Sequence, residues 1–477
     1  MIDTTRLAPY TLLTLLALLL TGCAQLPAQR QWSDDCTWQL ERLHREALSA
    51  GVADVQAHQV GDYPYLRADR FLWNQLPQLK LKTQRREWTQ LVLEFGNAAL
   101  TADHANLSAV TPLTSLRACL QTQAEELAAR PDYLLTLSEQ PYPSEYSHTA
   151  RVVGLYPITR HLMLAWLPAL HQELRERYLR GPANPVTRYV PAGAPGLTAD
   201  RIRRWLKAAT AVSPLGLPRL AVDQQQRLLA HFAPVWRIET RASFDLPGVP
   251  FRTVRSVGVN SQWPVTYSYL SYSSWRGRAL LQLNYLIWFD ERPAAMLLDI
   301  YAGKLDGMLL RLTLDQEGRP LLLDSIHPCG CYHSLIPLQP GVRLASTEAL
   351  IEPPLLLDGL PEAGDAMRVS VALSSSDHML LGVNWEPREW DGNKYLLLPA
   401  DQLRSIATTA GRRNLFAPPF GLIPGSERSE ALLLWPSGVV MPGTMRQWGH
   451  HAITFSNDRH FDDADLLEQL FVHLPIE

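Results

Sequence analysis

Two cysteines and two histidines, side chains that can bind a metal or exchange disulfides, lie within seven residues of one another. They are His327, Cys329, Cys331 and His333. Thiolate and imidazole together suit Zn or Cu better than Mg or Ca. The single residue between Cys329 and Cys331 is tighter than the usual zinc-finger spacing of about two to four residues, so a complete site needs further ligands. The candidates are distant histidines, namely His378, His450, His451 and His460.

The same two cysteines also have interpretations that need no metal. Cys329 and Cys331 can form a tight disulfide, which an oxidising compartment favours. Because so small a ring is strained and easily reduced, a redox-active dithiol is a further alternative. In the remaining alternative, the whole segment packs as an ordinary buried turn.

A second group of potential ligands or acid/base residues lies in segment 445–463. His450 and His460, with nearby carboxylates, can bind a metal or transfer protons near neutral pH. On a strand, His450 and His451 would face opposite sides, so only one of them would join a given site. The interpretation that we favour here is a solvated ion-pair network of the arginines and aspartates in the segment.

Three aspartates, Asp299, Asp306 and Asp324, flank the turns of a predicted antiparallel meander. Carboxylates that project from one end of a sheet can make a hydrolytic pair. An aspartate before a glycine also forms turns, and this is the interpretation that we favour for Asp306. The dense aromatic residues nearby are more typical of core packing than of a stacking platform.

The elements that carry these residues change in type along the chain. Apolar residues recur at helical spacing over residues 34–131, and Thr198 begins a further amphipathic helix. After Phe232 the period becomes that of strands, with glycine- and aspartate-containing turns between them, and a short helix is predicted over 462–471. The predicted fold class is therefore α+β, a helical N-terminal region followed by a β-meander-rich region.

The pattern also predicts the boundaries of the parts. They are a signal peptide (1–22), a tether (23–33), a helical domain (34–180), a helix with an antiparallel β unit (198–350) and a second β-rich unit with a C-terminal helix (360–477). Within the helical domain, Cys36 and Cys119 lie on or beside the apolar stripes of their helices. We expect a disulfide between them in an oxidising compartment, with two free buried thiols as the alternative.

Composition and missing motifs exclude several function classes. The 44 basic and 47 acidic residues nearly balance, which gives no reason to expect a nucleic-acid partner. The chain has no G-x-S-x-G, H-E-x-x-H, P-loop or Rossmann glycine motif. The sequence therefore identifies neither a protein partner nor a small-molecule partner.

The N-terminal residues have the pattern of a targeting signal. An apolar stretch over residues 7–20 is shorter than the about 20 residues that a bilayer-spanning helix needs. The run Leu20-Thr21-Gly22-Cys23 that follows resembles the lipobox of bacterial lipoproteins. The resemblance implies cleavage before Cys23, acyl chains such as palmitate on Cys23, and anchoring to a membrane in the cell envelope. Ala24, where retention at the inner membrane usually needs aspartate, favours the outer membrane; the alternative is an ordinary secretory signal.

Sequence segments of the chain after Cys23, within 283–303, 325–333 and 445–451, look like those of long bacterial lipoproteins. This resemblance implies no particular activity. We therefore expect a lipid-anchored binding or envelope-assembly protein with a cleft between its helical and β regions. The alternative is an envelope enzyme with a metal or thiol centre in the 327–333 loop.

Overall fold

The computed structural model describes residues 35–193, 196–254, 256–346, 350–388 and 391–476. The predicted signal peptide and the lipidation site at Cys23 lie outside the described residues.

The described α-helices are, in chain order, α1 (Asp35–Ser49), α2 (Arg70–Gln75), α3 (Lys82–Asn106), α4 (Leu113–Ala128), α5 (Pro131–Ser138), α6 (His148–Val153), α7 (Tyr156–Arg180), α8 (Ala199–Val212), α9 (Val222–Phe232), α10 (Ala431–Leu434) and α11 (Leu466–Leu470).

The described strands are, in chain order, β1 (His58–Val60), β2 (Tyr63–Ala68), β3 (Val186–Pro191), β4 (Val235–Glu239), β5 (Val249–Arg252), β6 (Val257–Asn260), β7 (Val265–Trp275), β8 (Arg278–Arg292), β9 (Gly303–Leu314), β10 (Pro320–Ile326), β11 (Ser334–Pro337), β12 (Arg343–Leu344), β13 (Leu355–Leu356), β14 (Met367–Leu373), β15 (Leu380–Pro387), β16 (Asn393–Pro399), β17 (Ile406–Thr408), β18 (Gly411–Arg413) and β19 (Phe471–His473).

The N-terminal region packs helices around a small hairpin. Strands β1 and β2 pair antiparallel inside the stretch that the sequence predicted as helical throughout. Helices α1, α3 and α4 cover strand β2, whose six residues are all buried. Trp88 of α3 is fully buried, and its indole N–H donates to the carbonyl oxygen of Leu72 at 2.7 Å. The hairpin thus acts as the centre of a helical core.

The β region forms one eleven-stranded mixed sheet. Its strand order is β13-β11-β10-β9-β8-β7-β16-β3-β4-β14-β15. Strands β7 to β11 form the predicted antiparallel meander, and Tyr285 pairs with Leu310 in its centre. Strand β16 inserts parallel to both β7 and β3, so strands from the two predicted β units share this sheet. The α+β fold class is confirmed.

Both faces of the sheet are covered. On one face, Ile202 and Leu206 of α8 and Leu228 of α9 pack in a core with the central strands. On the other face, Trp288 packs with Phe416 and other residues of the C-terminal loops. Within the described residues, no helix combines the length and the apolar character that crossing a bilayer demands.

The C-terminal helix is shorter than predicted. It covers only Leu466–Leu470 and leads directly into strand β19. The residues before it form turns instead, because Asp462 Oδ2 accepts the N–H of Gly449 and Asp463 Oδ2 accepts the N–H of His460.

Candidate functional site

The 327–333 loop folds into a tight turn directly after β10. The N–H of His327 donates to the carbonyl oxygen of Cys331 at 3.0 Å, and the N–H of Gly330 donates back to His327 at 2.8 Å. Gly330 has a φ of +94°, and a Cβ there would lie 2.2 Å from the carbonyl oxygen of Ala452. Glycine is therefore required where the loop meets the C-terminal segment.

Each of the two histidines of this loop lies beside a different carboxylate. His327 Nδ1 lies 3.1 Å from Asp306 Oδ1, whereas His333 Nε2 lies 3.2 Å from Asp324 Oδ2. Across the part of the chain that the structure describes, no three His, Cys, Asp or Glu side chains group so that they could hold a metal ion. The structure thus gives no support to the Zn or Cu site, because each imidazole already has its own carboxylate.

The four cysteines in the described residues divide into a bonded and an unbonded pair. Cys36 and Cys119 form the expected disulfide, which ties α1 to α4. Cys329 and Cys331 are free thiols, in contrast to the disulfide alternative. The N–H of Cys331 donates to Cys329 Sγ at 3.4 Å. A hydrogen bond with Cys329, together with burial, raises the pKa of the Cys331 thiol well above its usual value.

His450 and His460 meet at one carboxylate that the sequence analysis did not single out. Glu145 Oε1 lies 2.7 Å from His450 Nδ1, and Glu145 Oε2 lies 2.8 Å from His460 Nε2. Arg70 completes the group, with its Nη2 at 2.7 Å from Glu145 Oε2. Burial alone would raise the pKa of Glu145, but hydrogen bonds from His450 and His460 lower it well below its usual range. This group joins the helical region to the C-terminal loops.

The favoured interpretation of segment 445–463, a solvated ion-pair network, is wrong. His450 and His451 lie in a loop. The arginines are not solvated, since Arg446 is 1% exposed and Arg459 is 4% exposed. Main-chain oxygens satisfy these cations: Arg446 donates to the carbonyl oxygen of Val440 at 2.9 Å, and Arg459 donates to that of Glu352 at 2.7 Å.

A buried His–Asp chain is the main polar group that the sequence analysis missed. Asp306 lies in strand β9 and not in a turn, which corrects the prediction. Its Oδ2 lies 2.9 Å from His378 Nδ1, while its Oδ1 faces His327. The other ring nitrogen of His378 lies 3.5 Å from Asp245 Oδ1. Phe289 stacks on the His378 ring with centroids 3.9 Å apart.

The pKa shifts within the buried His–Asp chain favour a protonated His378 between the ionised carboxylates of Asp245 and Asp306. Burial alone would raise the pKa of Asp306, but its two histidine partners lower it well below its usual value. Burial would likewise lower the pKa of His378, but hydrogen bonds with Asp245 and Asp306 outweigh that effect and raise it. One sequence signal could have revealed the site: Asp306 alternates in phase with Met308 and Leu310, so a carboxylate lies on an apolar strand face.

Left-handed backbone conformations surround the His–Asp chain, and such conformations concentrate at functional sites. They occur at the non-glycine residues Leu305, Tyr332, Ser376 and His378. However, the site is closed. The adjacent cavity, against which His327 lies, has a volume of about 10 Å³, enough for about one water molecule. No substrate can enter without a rearrangement, so we treat the His–Asp chain as a structural centre.

The open site is a cleft of about 740 Å³ between the helical region and the sheet. The walls are formed by α2, α3 and α9 on one side and by β7, β16 and the C-terminal loops on the other. The residues that give it chemical character are Gln56, Asp69, Arg70, Phe71, Glu94, Phe95, Gln225, Gln226, Ser268, Tyr269, Ser271, Tyr272, Gln282, Asp401, Arg404, Trp448 and Asp462. Its volume is within the range of small-molecule sites.

Aromatic rings and neutral polar groups dominate the cleft. Tyr269 stacks on Trp448 with centroids 5.4 Å apart and an interplanar angle of 27°. Within the described residues, the buried Oη of Tyr269 has no hydrogen-bond partner. The Oγ of Ser271 donates to Gln282 Oε1 at 3.1 Å, so a ligand meets a hydrogen-bonded polar strip beside the rings.

The charged side chains that line the cleft are four carboxylates and two arginines. Burial raises the pKa of Asp69 to about 6, and nearby Asp462 adds to the effect. Burial also raises the pKa of Asp462 itself. The cations are paired with buried carboxylates, Arg70 with Glu145 and Arg404 with Asp54. The cleft therefore offers an anionic ligand no unpaired cation.

No protein-family model, curated protein or solved structure matches this chain.

Proposed function

We propose that the chain is a lipid-anchored protein of the cell envelope, held at the outer membrane through Cys23, whose body binds a ligand in the helix–sheet cleft. The observation that carries this proposal is the cleft of about 740 Å³, with its stacked Tyr269 and Trp448. Openness to solvent distinguishes it from the buried His–Asp chain, which a ligand cannot reach.

The lining favours an uncharged ligand that is rich in hydroxyl and amide groups, as an envelope saccharide is. Gln226 offers both donors and an acceptor, which such groups need, and Gln225 offers its amide oxygen while its amide nitrogen donates to Leu220. The rings of Tyr269 and Trp448 provide a flat apolar surface with polar edges. A strongly anionic ligand would find no unpaired counter-charge on Arg70 or Arg404.

Ligand binding can be tested with oligomers of N-acetylglucosamine, which present hydroxyl and amide groups on an uncharged frame. Titration of the full chain should change the tryptophan fluorescence through Trp448 and saturate. Ala98→Phe, which fills the cleft from α3, should abolish the change, whereas the exposed Ala118→Phe on α4 should preserve it. An identical response of both variants, or no response of the wild type, would contradict the saccharide proposal.

The anchor has its own test. Growth of the expressing bacterium with labelled palmitate should label the wild-type chain, and Cys23→Ser should remove the label. A Cys36→Ser variant is the matched control, because it changes another cysteine near the N-terminus. Label on Cys23→Ser would contradict the proposed anchor.

A second candidate function, thiol–disulfide exchange, is favoured by the adjacent free thiols of Cys329 and Cys331. Their contact is the 3.4 Å hydrogen bond from the Cys331 N–H to Cys329 Sγ. In the proposed step, one thiolate attacks a disulfide of a partner protein and forms a mixed disulfide. The second cysteine then displaces the partner, so the pair becomes a disulfide and the partner leaves as a dithiol.

Equilibration in glutathione buffers of graded potential, followed by alkylation, tests this step. Cys329 and Cys331 should interconvert in a range in which the Cys36–Cys119 disulfide stays intact. Simultaneous reduction of all four sulfurs, or two thiols that no oxidised buffer converts, would rule out the exchange function.

A further inference from the structure

The described body carries a large exposed apolar surface that its fold does not use. We define it as the apolar face, formed by residues 152–170, 296–298 and 432–435. Its exposed side chains include Leu162 (65%), Trp166 (78%), Leu297 (99%), Leu298 (82%) and Leu432 (78%). Soluble proteins rarely expose so many large apolar side chains together, and such patches mark interaction sites.

Close contacts connect the three segments. A Cβ on Gly154, at the α6–α7 junction, would lie 2.7 Å from Pro436 Cα, so this junction packs against the turn that follows α10. The N–H of Glu430 donates to the carbonyl oxygen of Ile300 at 3.1 Å and thereby joins α10 to the 296–298 segment. The three segments of the apolar face are therefore neighbours in the fold.

Helix α7 shows that the exposure follows one face. Leu155, Ile158, Leu162 and Trp166 recur at intervals of three or four residues and are all exposed. Further along the same helix, Leu174 is buried in the sheet core. The arrangement is the reverse of a usual surface helix, in which the solvent side is polar.

Residues 146–172 carry only basic charged side chains, whereas Asp299 and Glu430 border the other two segments of the apolar face. No acidic residue occurs between Glu145 and Glu173, a stretch that includes Arg151 and Arg160. Segments 293–298 and 431–442 contain no charged residue. An apolar helix face with basic neighbours and exposed tryptophan is typical of elements that lie in a bilayer interface, attracted by anionic lipids.

We infer that the apolar face docks onto the phospholipid surface that holds the lipid anchor, so that α7 lies in the plane of the interface. The inference rests on the proposed anchoring at Cys23. A chain from Cys23 to Asp35 spans at most about 40 Å when fully extended, which keeps the body beside the bilayer. The apolar stretch of α7 is too short to cross the bilayer but long enough to cover an interfacial site.

The test uses the full acylated chain in vesicles of phosphatidylethanolamine and phosphatidylglycerol whose acyl chains carry bromine, which quenches nearby tryptophan. We expect Trp166→Phe to lower the quenched fraction by about twofold, since interfacial tryptophans lie within reach of the acyl chains. Trp263→Phe is the matched control, because Trp263 is similarly exposed (63%) but lies outside the apolar face. It should leave the quenched fraction unchanged.

The outcomes separate this inference from the anchor. A chain that fails to float with vesicles contradicts the anchoring, whereas a chain that floats with equal quenching in all three proteins overturns the docking inference. A different outcome would identify a second copy of the chain as the partner. In that case Trp166 escapes quenching, and the Ile158→Gln/Leu162→Gln double variant has a lower mass in analytical ultracentrifugation than the wild type. The lipid inference would then be wrong.

Discussion

His378 Nδ1 lies 2.9 Å from Asp306 Oδ2, and the structure buries both side chains almost completely. His378 lies in the turn between β14 and β15, at one end of the sheet order, whereas Asp306 lies in the central meander. Since His327 shares the same carboxylate, one aspartate connects three separate parts of the chain. This buried chain should therefore affect stability more than any exposed ion pair.

Asp306→Asn should lower the free energy of unfolding by about 3–5 kcal/mol, the range for a broken buried pair. The amide keeps one acceptor oxygen but turns an NH₂ group toward the other histidine. Urea denaturation at pH 7 measures the loss. Glu291→Gln is the control, because Glu291 pairs with Lys304 at a half-exposed site and should cost at most about 1 kcal/mol. Equal losses in the two variants would contradict a central role for Asp306.

His378 should hold its proton to a higher pH than a free imidazole does, because hydrogen bonds with Asp245 and Asp306 raise its pKa despite burial. A histidine with a raised folded pKa contributes stability below its unfolded pKa of about 6.5 and loses it as the pH rises through the folded value. Nitrogen NMR of histidine-labelled protein, with His378→Gln for assignment, measures the protonation. A neutral ring at pH 6 would contradict the prediction.

The regular elements were predictable because their periodicity is local. Thr198 accepts the N–H of Arg201 as the predicted start of α8. The hairpin β1–β2 was missed, since β1 has only three residues and β2 is buried along its whole length and lacks alternation. Burial on both faces removes the signal on which strand prediction depends.

The sites were less predictable because their partners lie far apart in the chain. His450 and His460 were singled out, but their common acceptor Glu145 precedes them by about 300 residues. Asp306 was assigned to a turn because it precedes Gly307, and only the tertiary fold brings it to His378. A single sequence gives residue types that suit chemistry but not which of them meet.

Asp103→Asn should stabilise the protein more at pH 8 than at pH 5. Burial raises the pKa of Asp103 to about 7, so the folded state holds a proton that the unfolded state releases. Wild-type stability therefore falls as the pH rises from about 4 to about 7, and asparagine removes this dependence, a difference of about 2–3 kcal/mol between the two pH values. The amide can still accept from the Asp54 N–H and donate to the Tyr65 hydroxyl. Parallel pH profiles from urea denaturation would contradict the assignment.

Replacement of both Cys36 and Cys119 by serine should lower the free energy of unfolding by about 4–5 kcal/mol in the chain-entropy model. The two residues are 83 positions apart, so the disulfide restrains a long loop of the unfolded chain. Denaturation of the double variant beside dithiothreitol-treated wild type measures the loss. The Cys329→Ser variant is the control, since Cys329 is not disulfide-bonded. A double variant as stable as the wild type would show that the disulfide contributes little.

Gly96→Ala should destabilise the protein, although alanine favours helices over glycine by about 1 kcal/mol. Gly96 lies inside α3, and a Cβ there would be 1.8 Å from the carbonyl oxygen of Tyr65, so helix and strand would have to separate. Overpacking of this kind costs about 1–3 kcal/mol. Because Phe95 and Ala98 of α3 line the cleft, the same variant should also weaken binding of the N-acetylglucosamine oligomers. Asn97→Ala, one position further, should leave both stability and binding close to wild type, and a stabilised Gly96→Ala would refute the close packing of α3 on β2.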